Sequence, residues 1–253
     1  MTQAAPRSHQ HLLIDADDTL WENNIYFEQA FEDFVAYLNH EHLSSAEIQA
    51  VMDNLALANR ANLGYGSRAF ARILRDTYRG ITGVAENDPE LDEAERLGLR
   101  ILDQNFDIID GVIETITALK PHHDMFIVTK GHEGEQRAKI ERSGIEHHFD
   151  AIVIVDEKNE STYRSMVERF GLDSTNTWMI GNSPRSDINP AIRAGINAVY
   201  IPHPQTWHLE LELIATCEEA AGELVHLATF RELSRLFLST SGDPDCSSMG
   251  SEP

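Results

Sequence analysis

Five residues, Asp15-Ala16-Asp17-Asp18-Thr19, follow directly on the apolar run Leu12-Leu13-Ile14. A short apolar run reads as a buried strand, so the first strand of this chain is predicted to end in carboxylates. In an open α/β sheet the ligand crevice lies outside the carboxyl ends of the strands. Acids one residue apart repel each other unless a cation or a reaction uses them. Taken alone, the segment also reads as the cap and first turn of a following helix, where Asp and Thr are favoured. The rest of the chain separates these readings.

Further strand-like runs occupy residues 125–129, 151–155, 177–180 and 198–201, with a weaker one at 224–227. Amphipathic stretches at 112–120, 133–143, 161–170 and 188–194 lie between them. Strand and helix alternating at this spacing predict βαβ units. The expected fold is α/β: a doubly wound, largely parallel Rossmann-like sheet. One interval breaks the rhythm. Between residues 22 and 105 helical patterns recur without a convincing strand. There Phe27, Phe31, Phe34, Val35 and Leu38 follow the three- and four-residue steps of one buried helix face. Ser44 with Glu47 reads as a capping box, and Asn87-Asp88-Pro89 as a helix start. Gly64, Gly66, Gly80 and Gly83 read as punctuation. The expectation is an all-helical cap domain at 22–105, inserted in a core made of residues 1–21 and 106–238. The Ser-, Gly- and Pro-rich stretch 239–253 is expected to be a disordered tail.

The net charge of −22 over 253 residues sets the long-range field against nucleic acid and anionic membranes. A small anionic substrate remains compatible, because a lysine or a metal reverses the sign inside a crevice. Cys217 and Cys246 are the only cysteines and form neither a disulfide framework nor a metal knuckle. Residues 1–10 are polar and do not read as a signal peptide, and no stretch is long enough to cross a bilayer. A cytoplasmic protein is expected, either monomer or homodimer.

The strand ends carry the chemistry. The first ends in Asp15-Ala16-Asp17, the second in Thr129-Lys130-Gly131, the third leads into Asp156-Glu157-Lys158, and the fourth into Gly181-Asn182-Ser183-Pro184-Arg185-Ser186-Asp187. Parallel strands bring these ends to one edge, where acids, a hydroxyl, a lysine and a helix start suit a divalent cation beside a phosphate. In order and type these four segments resemble the motifs of the haloacid dehalogenase-like (HAD) hydrolases. The insertion at 22–105 resembles that family's helical cap, and Gly64-Tyr65-Gly66 its small-molecule phosphatases.

The resemblance implies a Mg²⁺-dependent phosphatase acting on a small-molecule phosphate monoester. Asp15 would be the nucleophile that forms an aspartyl-phosphate. Asp17 would be the acid that protonates the leaving alkoxide and then the base that activates water. A halide leaves without a proton, so an acid at position 17 argues against dehalogenation. Thr129 and the amides of Lys130 and Gly131 would bind the phosphoryl group, with Lys158 offsetting charge. Asp15, the Asp17 carbonyl, Asn182 and Asp187 would hold Mg²⁺. Asn182 stands where the family usually has an aspartate, which makes Asp187 the expected acidic ligand. Tyr65 and Arg68 are candidate selectivity residues, and Trp21 either lines the entrance or packs the hinge. His203 and His208 stay outside the expected site. A phosphomutase and a non-catalytic phosphate-binding protein are the alternative readings.

Overall fold

A computed structural model describes residues 9–215 and 222–238. The stretch 239–253 and both cysteines lie outside the described residues. The apolar runs become β1 (His11–Ile14), β2 (Asp124–Lys130), β3 (Ala151–Val155), β4 (Thr177–Gly181), β5 (Asn197–Tyr200) and β6 (Leu224–His226). Among the described residues they form one sheet in the order β3-β2-β1-β4-β5-β6, with every pairing parallel.

Alternation along the strands builds two cores. Leu12, Ile14, Met125, Ile127, Trp178 and Ile180 face α5 (Val112–Leu119) and α9 (Leu233–Phe237). Leu13, Phe126, Val128, Val153 and Met179 face α7 (Glu160–Phe170) and α8 (Asn189–Arg193). A sheet buried on both faces needs apolar residues of both parities, which is why these strands read as continuous apolar runs. The order reverses between β1 and β4. Asp15 and Asn182 therefore flank the topological switch point, where such sheets place their ligand.

Four helices lie between β1 and α5: α1 (Asn24–Leu38), α2 (Ser45–Leu63), α3 (Ser67–Thr82) and α4 (Pro89–Leu99). They enclose a core of their own, including Phe34, Ile48, Leu74, Leu91 and Leu97. The Ser44–Glu47 capping box forms, and Asp88 caps α4 with Pro89 in its first turn. Gly80 is interior to α3 and punctuates nothing; Gly83 closes that helix. The α1 face divides. Phe34 and Leu38 are buried in the helical core, whereas Phe27 and Phe31 line the crevice.

The chain leaves and re-enters the sheet layer through two adjacent segments. Glu22 N–H donates to Asp107 O at 2.9 Å and Ile109 N–H to Leu20 O at 3.0 Å. No helix of the described residues is long and apolar enough to cross a membrane.

Candidate active site

The first motif gives its three acids to three different tasks. Asp15 extends β1 by one bond, its N–H donating to Ile180 O at 2.9 Å, and its carboxylate is 6% exposed at the sheet edge. Lys158 Nζ bonds Asp15 Oδ1, and the Thr19 hydroxyl donates to Asp15 Oδ2 at 3.0 Å. Burial and then the neighbouring Asp187 push the Asp15 carboxyl up to about 7, against the pull of Lys158.

Asp17 stands in another setting. Lys139 Nζ lies 2.6 and 2.7 Å from its two oxygens, Gln136 Nε2 donates to it at 2.9 Å, and the Trp21 indole at 2.8 Å. Burial opposes its charge, yet Lys139 and these donors hold its carboxyl below the ordinary range. Asp18 is a cap. Its carboxylate accepts from Asn23 and Asn24 N–H at 2.9 and 3.0 Å, starting α1 from a left-handed turn residue with φ 60°. The helix-cap reading thus holds for Asp18 and fails for Asp15 and Asp17. Trp21 is fully buried and steadies Asp17, so it packs the hinge and does not line the entrance.

The fourth motif is shaped by a π-helical turn, Pro184–Ile188, a feature common at functional sites. Ile188 N–H reaches back to Ser183 O at 3.1 Å. This turn folds Asp187 onto the end of β4. Its Oδ2 lies 2.2 Å from where a Gly181 Cβ would be, so any side chain at 181 would collide with it. Asp187 Oδ2 accepts from Ser183 N–H at 3.0 Å, and Oδ1 from Lys158 at 2.8 Å. Both oxygens of Asp187 are engaged. Asn182 is oriented the other way. Its Nδ2 donates to Thr206 Oγ1 at 2.9 Å, which turns Oδ1 toward the Thr19 hydroxyl at 3.3 Å. One hydroxyl therefore sits between Asp15 Oδ2 and Asn182 Oδ1. The amide oxygen of Asn182 thus faces the same hydroxyl as Asp15, whereas both Asp187 oxygens are already bonded.

Lys158 precedes α7, 5% exposed, and bridges Asp15 and Asp187 as a single buried cation. Burial opposes its charge, but the two carboxylates raise it above the ordinary lysine value. Thr129, at 1% exposure, is the penultimate residue of β2 and lines the crevice.

Two expectations are corrected. The Gly131 amide is already used, donating to Val155 O at 3.0 Å, because β2 runs on to Lys130 and keeps pairing with β3. Arg68 is outside the crevice lining: the start of α3 turns its side chain outward, 67% exposed. Tyr65 does line the crevice, with its hydroxyl donating to Glu157 at 2.9 Å.

Sequence reasoning missed Lys139 and Gln136, three residues apart on α6 (Glu133–Ser143). The signal was their shared helix face directly after the second motif. It also missed Glu210, which accepts from Lys130 at 2.5 Å, Ser183 at 2.7 Å and Ser186 at 2.5 Å. Burial opposes the charge of Glu210, but Lys130 and the hydroxyls keep it low. The Lys130 side chain is thereby tied to the wall of the site.

Contacts from the sheet layer hold the helical layer over the edge. Glu135 accepts from Ser67 N–H at 2.8 Å and Arg68 N–H at 3.3 Å. Gly66 carries φ 106°, and a Cβ there would sit 2.6 Å from Glu135. Glu157 pairs with Arg60, and His208 with Asp53 at 2.8 Å. The crevice between the two layers has a volume of about 450 Å³. Its floor is polar, and its ceiling includes Phe27, Phe31, Met52, Phe70 and Ile73.

A model of the haloacid dehalogenase-like hydrolases matches residues 9–195. N-acylneuraminate-9-phosphatase of Mus musculus is 28% identical over 121 residues, 46% of this chain and 49% of that protein. Pyrimidine 5'-nucleotidase YjjG of Escherichia coli (strain K12) is 26% identical over 99 residues, 37% of this chain and 44% of that protein. The chain thus spans about half the length of the curated relatives it matches. A haloacid dehalogenase-like family hydrolase from Xanthomonas campestris superposes with a TM-score of 0.74 at 25% identity, over 91% of this chain and 96% of that one. L-2-haloacid dehalogenase from Xanthobacter autotrophicus shares the fold, with a TM-score of 0.59 at 14% identity over 92% of this chain and 100% of that one. By the match over residues 9–195 and the convergence of its strand ends on the switch point, the chain belongs to the haloacid dehalogenase-like hydrolases.

Proposed function

We propose that this protein is a Mg²⁺-dependent phosphatase of a small-molecule phosphate monoester, with Asp15 as nucleophile and residues 22–105 as its cap. The observation that carries the reading is the separation of two carboxylates two residues apart. Asp15 faces Lys158, and Asp17 faces Lys139. A nucleophile and a proton-transfer group need such separate environments. A halide displacement would give the second acid no task. The phosphatase and nucleotidase relatives support the same direction.

The chemistry then runs in two steps. Asp15 attacks phosphorus in line, forming the acyl-phosphate bond as the bond to the alkoxide breaks. The proton for the alkoxide comes from the Lys139–Asp17 pair, whose ion-pair contact is closed on both Asp17 oxygens. Asp17, ionised, next takes a proton from water and passes it back to Lys139, while the hydroxide attacks phosphorus and releases Asp15 and phosphate. Thr129 at the end of β2 is the hydroxyl donor for the phosphoryl oxygens. Lys158 keeps the negative charge on Asp15 and Asp187 from accumulating.

The residues fit Mg²⁺ by donor chemistry: Asp15 Oδ2 and Asn182 Oδ1 are hard oxygens presented to one hydroxyl, and the Asp17 carbonyl is a third. Mg²⁺ takes few protein oxygens and keeps water. Bound there, it supplies positive charge to the phosphoryl oxygens. Asp187 acts through Lys158. Adding a charge at the amide should tighten the site, so Asn182→Asp is expected to lower the half-saturating Mg²⁺ concentration about tenfold, ~1.4 kcal/mol. Asn182→Ala is expected to raise it. A Mg²⁺ titration of turnover that moves with neither substitution removes Asn182 from the ligand set.

The apolar ceiling favours an ester whose organic part has an apolar face. The functional test is phosphate release from a panel of sugar, nucleotide and cofactor monoesters, in Mg²⁺ and in EDTA. Release that requires Mg²⁺ is expected. Transfer of phosphate to a second sugar hydroxyl instead of water replaces the reading with a phosphomutase. An absence of both, in folded protein that binds Mg²⁺, replaces it with a phosphate-binding protein.

A further inference from the structure

The opposite edge of the sheet carries a second cluster of ligating side chains, His9, His11 and Asp124. The backbone brings them together. His11 opens β1, and His9 stands two residues before it in the bend that leads into the strand. The parallel register sets Asp124, the first residue of β2, opposite His11, and Asp124 N–H donates to Gln10 O at 3.1 Å. Both imidazoles converge on the same oxygen. His9 Nε2 and His11 Nδ1 each lie 2.9 Å from Asp124 Oδ2, and the three ligand atoms fall within 4.8 Å of one another.

We infer that His9, His11 and Asp124 form a second metal site, which takes one borderline divalent cation of the Zn²⁺, Co²⁺ or Ni²⁺ type. Ligands about 2.1 Å from a tetrahedral ion stand roughly 3.4 Å apart, so each 2.9 Å His–Asp separation needs to open only by about half an ångström. Two imidazoles and a carboxylate are the donor set of a three-ligand site with one open position. Nitrogen donors disfavour Mg²⁺, which prefers oxygen. The side chains are 56%, 19% and 41% exposed for His9, His11 and Asp124, so a cation and its water have access. The site lies at the amino edge of β1 and β2, while the catalytic residues lie at the carboxyl edge. Its metal would tie the segment preceding β1 to β2 and would take no part in turnover.

The test is Zn²⁺ binding to the full chain by calorimetry in millimolar Mg²⁺, on a background of Cys217→Ser and Cys246→Ser. One equivalent is expected to bind with a dissociation constant on the order of 1 μM and to raise Tm by about 5 °C at hundredfold excess over that constant. His9→Ala and His11→Gln are each expected to weaken binding at least about thirtyfold, with kcat unchanged. The exposed His9 makes the first variant safe for folding. Visible d–d bands of tetrahedral Co²⁺, lost in both variants, are expected as a second readout. Binding that both variants retain, or that appears only at millimolar Zn²⁺, overturns the site as adventitious.

Discussion

Asp15→Asn is expected to lower phosphate release by at least about 10⁴-fold while the protein stays folded. The side chains are nearly isosteric, and the amide keeps an oxygen for the Thr19 hydroxyl, but it cannot attack phosphorus. Stability moves the other way. Burial and Asp187 raise the Asp15 carboxyl from its ordinary 3.8 to about 7, so its charged form is disfavoured by the fold. A carboxyl raised on folding binds its proton more tightly in the native state. Between about pH 4 and 7 it therefore makes the wild type lose stability as pH rises. The variant lacks this contribution. Thermal melts in EDTA should show the variant gaining on the wild type from pH 5 to pH 8. Retention of more than about 1% of turnover places the nucleophile elsewhere, and a variant that does not gain on the wild type over that range overturns the raised Asp15 carboxyl.

The parts of this molecule set by short-range pattern were legible in the sequence. Apolar runs buried on both faces marked the strands, and Ser44–Glu47 and Asp88-Pro89 marked helix starts, because each rests on contacts within a few residues. Asp15 was legible for the same reason, as the first polar residue after a buried run. What escaped depends on where a helix face points. Lys139 and Gln136 follow an ordinary amphipathic spacing, and only the fold turns that face onto Asp17. Arg68 lies just past the Gly64-Tyr65-Gly66 segment that holds Tyr65, yet its position on the first turn of α3 directs it outward. The orientation of Asn182 and Asp187 was illegible because it is set by contacts distant in the sequence. The π-helical turn and Lys158 occupy both Asp187 oxygens, and Thr206 aims the amide. Glu210 lies 80 residues from its partner Lys130, in a loop with no periodicity to read.

Lys158→Met should produce the largest loss of stability among single substitutions at this edge. The ammonium is buried between Asp15 and Asp187, and methionine keeps the length while removing the charge. Two carboxylates are then left facing each other out of water. Removing one partner from a buried pair costs about 3–5 kcal/mol, and the loss of the cation should reduce turnover by about 10²–10³-fold. The pH dependence identifies the cause. In the wild type the Lys158 ammonium is held above its ordinary 10.5, so its stabilising contribution is fully present below that pH and lost only above it. In the variant the Asp15 carboxyl loses the pull of Lys158, is pushed up further, and recovers a proton as pH falls. The Tm deficit of Lys158→Met should therefore be largest near pH 8 and shrink toward pH 5. A deficit independent of pH would mean that Lys158 acts by packing alone. The variant would then lose stability without the charge conflict that makes this lysine the counter-ion of both acids.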